Sequence, residues 1–165
     1  MMNLTIVRRS LPLTTRRRLL LAAAAIALPT WALAQKAATA TAIEVWKSPT
    51  CGCCKDWITH LQANGFKATV HDNGNTDQRA ALGMPIRYGS CHTALVGGYA
   101  IEGHVPAREV RRLLAEKPKA IGLAVPAMPL GSPGMDGPEY GGLKDDYDVL
   151  LVLRDGSAKV YQSYS

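Results

Sequence analysis

Residues 43–54 read IEVWKSPTCGCC and join a short apolar run to a cluster of thiols. The run at 43–46 is rich in β-branched and aromatic residues, which predicts a short, largely buried strand. Ser48-Pro49-Thr50 predicts a turn. A helix should then continue to about Asn64, because apolar residues recur along it with i, i+3, i+4, i+7 spacing until Gly65. The segment therefore predicts a strand–turn–helix unit with cysteines at the helix N-terminus.

Alternating polarity, turn dipeptides and helix-breaking prolines divide the rest of the chain into further elements. The predicted elements are a strand at 66–71, a short helix at 76–82, a hairpin of strands 93–96 and 99–102, a helix at 106–117, and a closing hairpin of strands 149–154 and 158–164. A Gly- and Pro-rich stretch at 126–142 precedes that hairpin. This order predicts an α/β, thioredoxin-like domain with a small mixed sheet flanked by helices.

The first 34 residues predict a cleavable signal peptide. Arginines precede a ten-residue apolar run at 19–28, and Ala32-Leu33-Ala34 has the small residues of a cleavage site. The run is well short of the about 20 residues that a spanning helix needs, so no stable membrane insertion is expected after cleavage. Arg16-Arg17-Arg18 loosely matches a twin-arginine signal, and the general secretory route fits equally well. Residues 35–41 are predicted to be a linker and 42–165 a periplasmic or otherwise exported thioredoxin-like domain.

Signal cleavage would remove most of the excess positive charge. The chain has 19 Lys and Arg against 13 Asp and Glu, and five of the arginines precede Gln35. The remaining 14 basic residues nearly balance the acidic ones. With no basic stripe interleaved with aromatic residues, a nucleic-acid partner is not expected.

All four cysteines lie in two short segments, at Cys51, Cys53, Cys54 and Cys91. One interpretation is a pair of structural disulfides. A second is a thiol–disulfide oxidoreductase, with Cys51 as nucleophile and Cys54 as resolving thiol. The third, metal binding, uses all four sulfurs and requires no catalytic residue. Thiolates select soft ions, so Cu(I), in a site that can be polynuclear, is favoured over zinc, whose structural sites use two separated cysteine pairs.

Several motifs carry a resemblance to the CopG-type family of small exported proteins. They are Lys47-Ser48-Pro49 before the cysteines, Ser90-Cys91-His92-Thr93-Ala94, Val96-Gly97-Gly98-Tyr99, Glu102-Gly103-His104-Val105-Pro106, Gly122-Leu123-Ala124-Val125-Pro126, Met128-Pro129 and Gly131-Ser132-Pro133-Gly134-Met135. The resemblance spans nearly all of residues 35–165. It implies a thioredoxin-like fold, copper binding through cysteines and a place in bacterial copper resistance. Expected partners are the metal ion and other exported copper-handling proteins.

Histidines and methionines supply further candidate ligands. His104, at a Gly103 corner before a helix, is the first histidine candidate. His92 is a secondary one, because neighbouring strand residues point to opposite faces and Cys91 is expected to face the site. Met135 and Met128 are secondary candidates, since a thioether can bind Cu(I). The remaining two, His60 and His71, are expected at exposed positions.

Overall fold

The computed structural model describes residues 40–165. The predicted signal peptide and nearly all of the predicted linker therefore lie outside the described residues. Within that range seven strands form one sheet in the order β2-β1-β3-β4-β5-β6-β7. The strands are β1 (Thr41–Lys47), β2 (Phe66–His71), β3 (His92–Val96), β4 (Tyr99–Glu102), β5 (Ala120–Ala124), β6 (Tyr147–Leu153) and β7 (Ala158–Tyr164). The helices are α1 (Gly52–Ala63), α2 (Thr76–Ala81) and α3 (Ala107–Glu116), with short 3-10 turns at Ile86–Tyr88 and Pro138–Tyr140.

The first four strands have the predicted thioredoxin-like arrangement. Strand β1 is parallel to β2, with α1 as the crossover, and antiparallel to β3. Strands β3 and β4 form the hairpin around Gly97-Gly98, where both glycines have positive φ. The fold is therefore the mixed α/β class that the order of elements predicted.

Strand β5 was not predicted from the sequence. It pairs in parallel with β4 and antiparallel with β6, and it extends the sheet into the closing β6–β7 hairpin. At Gly122 a Cβ atom would collide with the backbone of Ala100, so the close approach of β4 and β5 requires glycine there. The sheet is consequently larger than the small sheet expected.

Two apolar clusters cover the two faces of the sheet. The larger one packs α1 and α3 against the strands, with Trp57, Leu61, Val110 and Leu113 all fully buried. The smaller one packs Met84 against strand residues of the opposite face. Each large apolar side chain buried in this way contributes about 1.5–3 kcal/mol. The packing fixes α1, and with it the cysteine segment, against the sheet.

Among residues 40–165, no helix combines the length and apolar character that crossing a bilayer would need.

Candidate metal centre

Sheet pairing brings the two cysteine segments together. In the antiparallel β1–β3 pair, Lys47 at the end of β1 lies opposite His92 at the start of β3. Cys51 follows β1 as the N-terminal cap of α1, and Cys91 immediately precedes β3. Cys51, Cys53 and Cys54 therefore lie close to Cys91 at one end of strands β1 and β3.

The four cysteine sulfurs form one compact cluster. The ligand atoms of Cys51, Cys53, Cys54 and Cys91 all lie within 4.8 Å of one another. Cys53 Sγ lies 3.5 Å from Cys51 Sγ and 3.9 Å from Cys91 Sγ. Cys51 and Cys54 form a disulfide with a Cα–Cα distance of 5.4 Å, whereas Cys53 and Cys91 are free thiols. The structure thus contains one disulfide and not the two of the structural-disulfide interpretation.

Burial holds Cys91 in its protonated form. Loss of solvation, followed by the neighbouring Cys53, raises the pKa of the Cys91 thiol to about 12. A thiol of this kind binds a metal ion by releasing its proton, so binding there is coupled to pH. The three other cysteines lie at the N-terminus of α1, where no acidic side chain occupies the first turn.

His104 presents a ring nitrogen to the cluster. Its Nδ1 lies 2.9 Å from the carbonyl oxygen of Pro133, so Nδ1–H donates to that carbonyl. The lone pair is then on Nε2, which lies 3.2 Å from Cys91 Sγ. Burial lowers the pKa of His104, which keeps the ring neutral. This is the tautomer and charge state of a metal-ligating histidine whose second nitrogen is held by a carbonyl.

His92 also faces the cluster, and the expectation that it points away from Cys91 is wrong. Cys91 precedes the strand, so the alternation of strand side chains does not apply to the pair. His92 Nδ1 lies 3.4 Å from Cys91 Sγ, and the fully buried ring packs on Trp57 at 4.2 Å. Burial lowers the pKa of His92, with nearby His104 as a smaller cause. Cys91, His92 and His104 make a second group with ligand atoms within 4.8 Å.

The Gly/Pro-rich segment, residues 126–142, packs against α1 beside the cysteine cluster. A Cβ atom at Gly134 would lie 2.6 Å from the Cys53 carbonyl oxygen and 2.7 Å from the Trp57 nitrogen, so the segment touches α1 directly. Met135, beside this contact, is buried. Met128, in contrast, leaves 48% of its surface exposed. Of the two methionine candidates, Met135 is the one on the covered side of the segment.

The other two histidines lie outside the cluster, although not both as expected. His60 is half-buried, and its Nε2 accepts a hydrogen bond from the N–H of Ala107 at 3.1 Å, so it caps the start of α3. Burial lowers the pKa of His60. His71 stacks on Trp46 and lies 3.2 Å from Glu44. The prediction that His60 is exposed is therefore wrong, because its position on α1 faces α3.

No pattern in the sequence predicts the group of buried polar residues that lies next to Cys91. Arg79 of α2 and Glu102 of β4 are buried and form an ion pair at 2.8 Å. Both bond to Ser90, the residue before Cys91. Arginine in a polar helix and glutamate at the end of a hairpin are normally exposed, so only the packed structure identifies them.

Comparison with known proteins places this geometry in a family. Residues 88–135 match the family described as "Protein of unknown function, DUF411". A solved structure, "Copper resistance protein copG", form 1, is 46% identical with a TM-score of 0.69, and the alignment covers 75% of this chain and 97% of that chain. The chain belongs to the CopG family. Form 2 of the same protein is 45% identical with a TM-score of 0.69, covering 76% of this chain and 98% of that chain. A comparison with curated proteins finds no match.

Membership of the CopG family confirms the resemblance carried by the sequence motifs. The stretch matched by the family model includes Cys91, His92, His104 and Met135, while the three clustered cysteines precede it. The cysteine cluster, able to hold a metal ion, lies in a chain whose solved relatives are named copper resistance proteins. A copper-related function follows for this member of the CopG family.

Proposed function

We propose that this protein is an exported copper-binding protein of copper resistance and homeostasis. It holds Cu(I) through the thiolates of Cys51, Cys53, Cys54 and Cys91. The observation that carries the proposal is the convergence of these four sulfurs within 4.8 Å. Soft thiolates select Cu(I) over the hard cations that prefer oxygen ligands.

The spacing of the sulfurs supports a site for more than one copper ion. Cys53 is close to both Cys51 and Cys91, and Cys91 belongs also to the group with His92 and His104. A thiolate shared in this way can bridge two ions. Zinc fits less well, because one tetrahedral ion would leave some of these ligands unused.

Copper binding by all four sulfurs requires prior reduction of the Cys51–Cys54 disulfide. Two electrons and two protons convert the disulfide into two thiols, and a dithiol donor becomes a disulfide in exchange. Each thiol then loses its proton as it binds copper. Reduction of this pair therefore sets how many thiolates face the ion.

His104 is the proposed nitrogen ligand, supported by its neutral ring and the lone pair on Nε2 beside Cys91. His92 is a second candidate on the same side. The Gly/Pro-rich segment would cover the ions, since Gly134 rests on α1 and Pro133 holds His104. Met135 is the closer methionine candidate and the exposed Met128 the weaker one.

Cu(I) titration of anaerobically reduced protein tests the proposal. Competition with a chromophoric Cu(I) chelator gives stoichiometry and affinity. We expect more than one Cu(I) per chain and retention of the fold without the disulfide. Binding no stronger than that of a variant with all four cysteines replaced by serine would contradict the proposal.

Thiol–disulfide exchange is a second candidate function, favoured by the Cys51–Cys54 disulfide at the N-terminus of α1. In that reaction the disulfide accepts an electron pair from a substrate dithiol, which leaves as a disulfide. Cys51 and Cys54 would then be catalytic. This function gives no role to Cys53 or Cys91, and for that reason copper binding is preferred.

Export is the third part of the proposal. It rests on the signal-like residues 1–34, with cleavage before Gln35 by either route. A disulfide in the structure is consistent with an oxidising compartment such as the periplasm. Other exported copper-handling proteins are the proposed partners for loading or removing the ion.

A further inference from the structure

The ion pair between Arg79 and Glu102 is unusual because both partners are buried. Arg79 is 7% exposed and Glu102 fully buried, and Arg79 Nε lies 2.8 Å from Glu102 Oε1. Removing two charges from water costs free energy that their attraction often fails to recover. A buried ion pair is consequently weak evidence for a stabilising role, and its neighbours must explain what it does.

The side chains of Arg79 and Glu102 both hydrogen-bond to the backbone of Ser90. The Ser90 carbonyl accepts from Arg79 Nη2 at 2.6 Å and from Asn75 Nδ2 at 3.2 Å. The Ser90 N–H donates to Glu102 Oε1 at 2.7 Å. Its hydroxyl donates to the carbonyl of Ala127 at 2.5 Å. Every polar group of Ser90 is therefore bonded to a different part of the fold: α2, β4 or the Gly/Pro-rich segment.

The residues that follow are held by the same network. The Thr93 hydroxyl donates to Glu102 Oε2 at 2.6 Å, and Asn75 Nδ2 lies 3.1 Å from Thr93 Oγ1. The His92 carbonyl accepts from the N–H of Gly103 at 3.0 Å. Cys91 thus lies in a short stretch that is fixed before and after it, because Ser90 and Thr93 bond to the same Glu102 carboxylate.

Cys91 needs such support more than the other thiols do. Cys51, Cys53 and Cys54 share one helical turn, whose hydrogen bonds set their relative positions. Cys91 comes from a separate loop and must still place Sγ 3.9 Å from Cys53 and 3.2 Å from His104. Metal sites tolerate errors of only about 0.5 Å in ligand position.

We propose that Arg79, Glu102 and Asn75 are positioning residues for copper binding. They hold Ser90 and Thr93, and so set Cys91 Sγ against the thiols of α1. This inference rests on the proposed copper function. It adds that residues outside the cysteine cluster hold Cys91 Sγ in the position of the fourth sulfur ligand. None of the three residues is a proposed ligand. Arg79 holds the Ser90 carbonyl, whereas Glu102 and Asn75 bond both to the Ser90 backbone and to the Thr93 hydroxyl.

The first test replaces the pair with apolar side chains, Arg79→Met with Glu102→Met. Apolar replacement of a buried ion pair is often neutral or stabilising. Asn75 still bonds to the Ser90 carbonyl and the Thr93 hydroxyl, and only the Ser90 N–H loses its partner, so the fold should persist. Cu(I) affinity should nevertheless fall about 10-fold, as expected when a partner that orients a ligand is lost. The matched control is Arg108→Met with Glu109→Met, where the buried Glu109 bonds instead to Arg108 and Tyr164 between α3 and β7. The control should keep the wild-type affinity.

A double-mutant cycle separates positioning from general loosening of the fold. The Arg79→Met, Glu102→Met change is repeated in a Cys91→Ser background, and residual Cu(I) affinity is measured by the same chelator competition. If the network acts through Cys91, the change should cause no further loss there. An equal loss in both backgrounds, or no loss in either, would overturn the proposal.

Asn75→Ala provides the same cycle with a milder change, should the apolar pair fail to fold. It removes one donor to Ser90 and is expected to weaken Cu(I) binding only while Cys91 is present. The wild-type titration keeps the two hypotheses apart. Wild-type binding no stronger than that of the four-serine variant contradicts the copper function itself. Strong wild-type binding with a flat cycle contradicts the positioning role alone.

Discussion

At the scale of single residues, burial controls the protonation of two groups that meet in the cluster, Cys91 and His104. The Cys91 thiol has its pKa raised to about 12, chiefly by burial, and burial lowers the pKa of His104. Both groups are therefore neutral in the metal-free protein, and they share a contact of 3.2 Å between sulfur and Nε2. In the proposed site a copper ion would replace the proton of the Cys91 thiol and would accept the lone pair of His104 Nε2.

Serine substitutions at Cys53 and Cys91 should distinguish copper binding from thiol–disulfide exchange. Each removes one of the converging sulfurs, so Cu(I) affinity should fall by more than the about 10-fold that loss of an outer partner causes. Disulfide exchange needs only Cys51 and Cys54. Insulin reduction at an ordinary thioredoxin rate, undiminished in Cys53→Ser and Cys91→Ser, would instead favour the enzyme.

Acidification should destabilise the metal-free protein. The folded chain resists protonation at His92 and His104, whose pKa values are lowered by burial, while the unfolded chain binds protons below about pH 6.5. The unfolded state then holds more protons, so the free energy of unfolding falls as pH drops below about 6.5. His104→Gln should reduce this loss in urea unfolding between pH 7 and 5. Identical pH dependence in wild type and His104→Gln would contradict the account.

At the scale of elements, the Gly/Pro-rich segment is ordered by what it rests on. Gly134 has a φ of 84° and touches the backbone of α1 at Cys53 and Trp57. The next contact is the Pro133 carbonyl, which holds His104. One short stretch thus both packs against α1 beside Cys53 and hydrogen-bonds to a candidate ligand, His104.

Gly134→Ala should lift this segment from α1 and accelerate aerobic loss of bound copper severalfold. The added Cβ would meet two backbone atoms at 2.6 and 2.7 Å, and neither can move independently of the helix. Gly142→Ala is the matched control, since Gly142 has a φ of 75° and nothing within 4 Å of an added Cβ. Both changes carry the similar cost of about 1–2 kcal/mol for a left-handed alanine. Equal rates of copper loss in the two variants would exclude a covering role.

At the scale of the whole molecule, local patterns predicted most of the fold. The strand–turn–helix unit, both hairpins and the α3 helix occur where apolar periodicity and turn residues indicated them. Strand β5 was not predicted because Ala120–Ala124 is a short run of small and apolar residues with no alternation of polar and apolar side chains. Its pairing with β4 depends on a close approach at Gly122 that only the packed chain displays.

The features of the candidate site that depend on neighbouring residues were likewise predicted from the sequence, and those that depend on tertiary packing were not. Three cysteines on one helical turn are visible in the sequence, because their proximity is local. The direction of His92 depended on where β3 begins, and element boundaries are uncertain by a few residues in any sequence analysis. The contact of Arg79 with Glu102 joins α2 to β4 and depends on tertiary packing, so no local pattern predicts it.

Export is a prediction about the whole chain. Residues 1–34 have the pattern of a cleavable signal, and residues 40–165 form the folded domain. The protein isolated from the periplasm should therefore begin at Gln35, which N-terminal mass spectrometry can check. An intact N-terminus retained in the membrane would contradict both cleavage and the proposed location.

X-ray absorption at the copper K edge, on anaerobically reduced and Cu(I)-loaded protein, is the most direct test of Cu(I) binding by the four sulfurs. We expect a Cu(I) edge and a first shell dominated by sulfur, because four sulfurs converge within 4.8 Å. A smaller nitrogen contribution should be lost in His104→Gln. A first shell of nitrogen and oxygen alone, or the same spectrum from the four-serine variant, would contradict it.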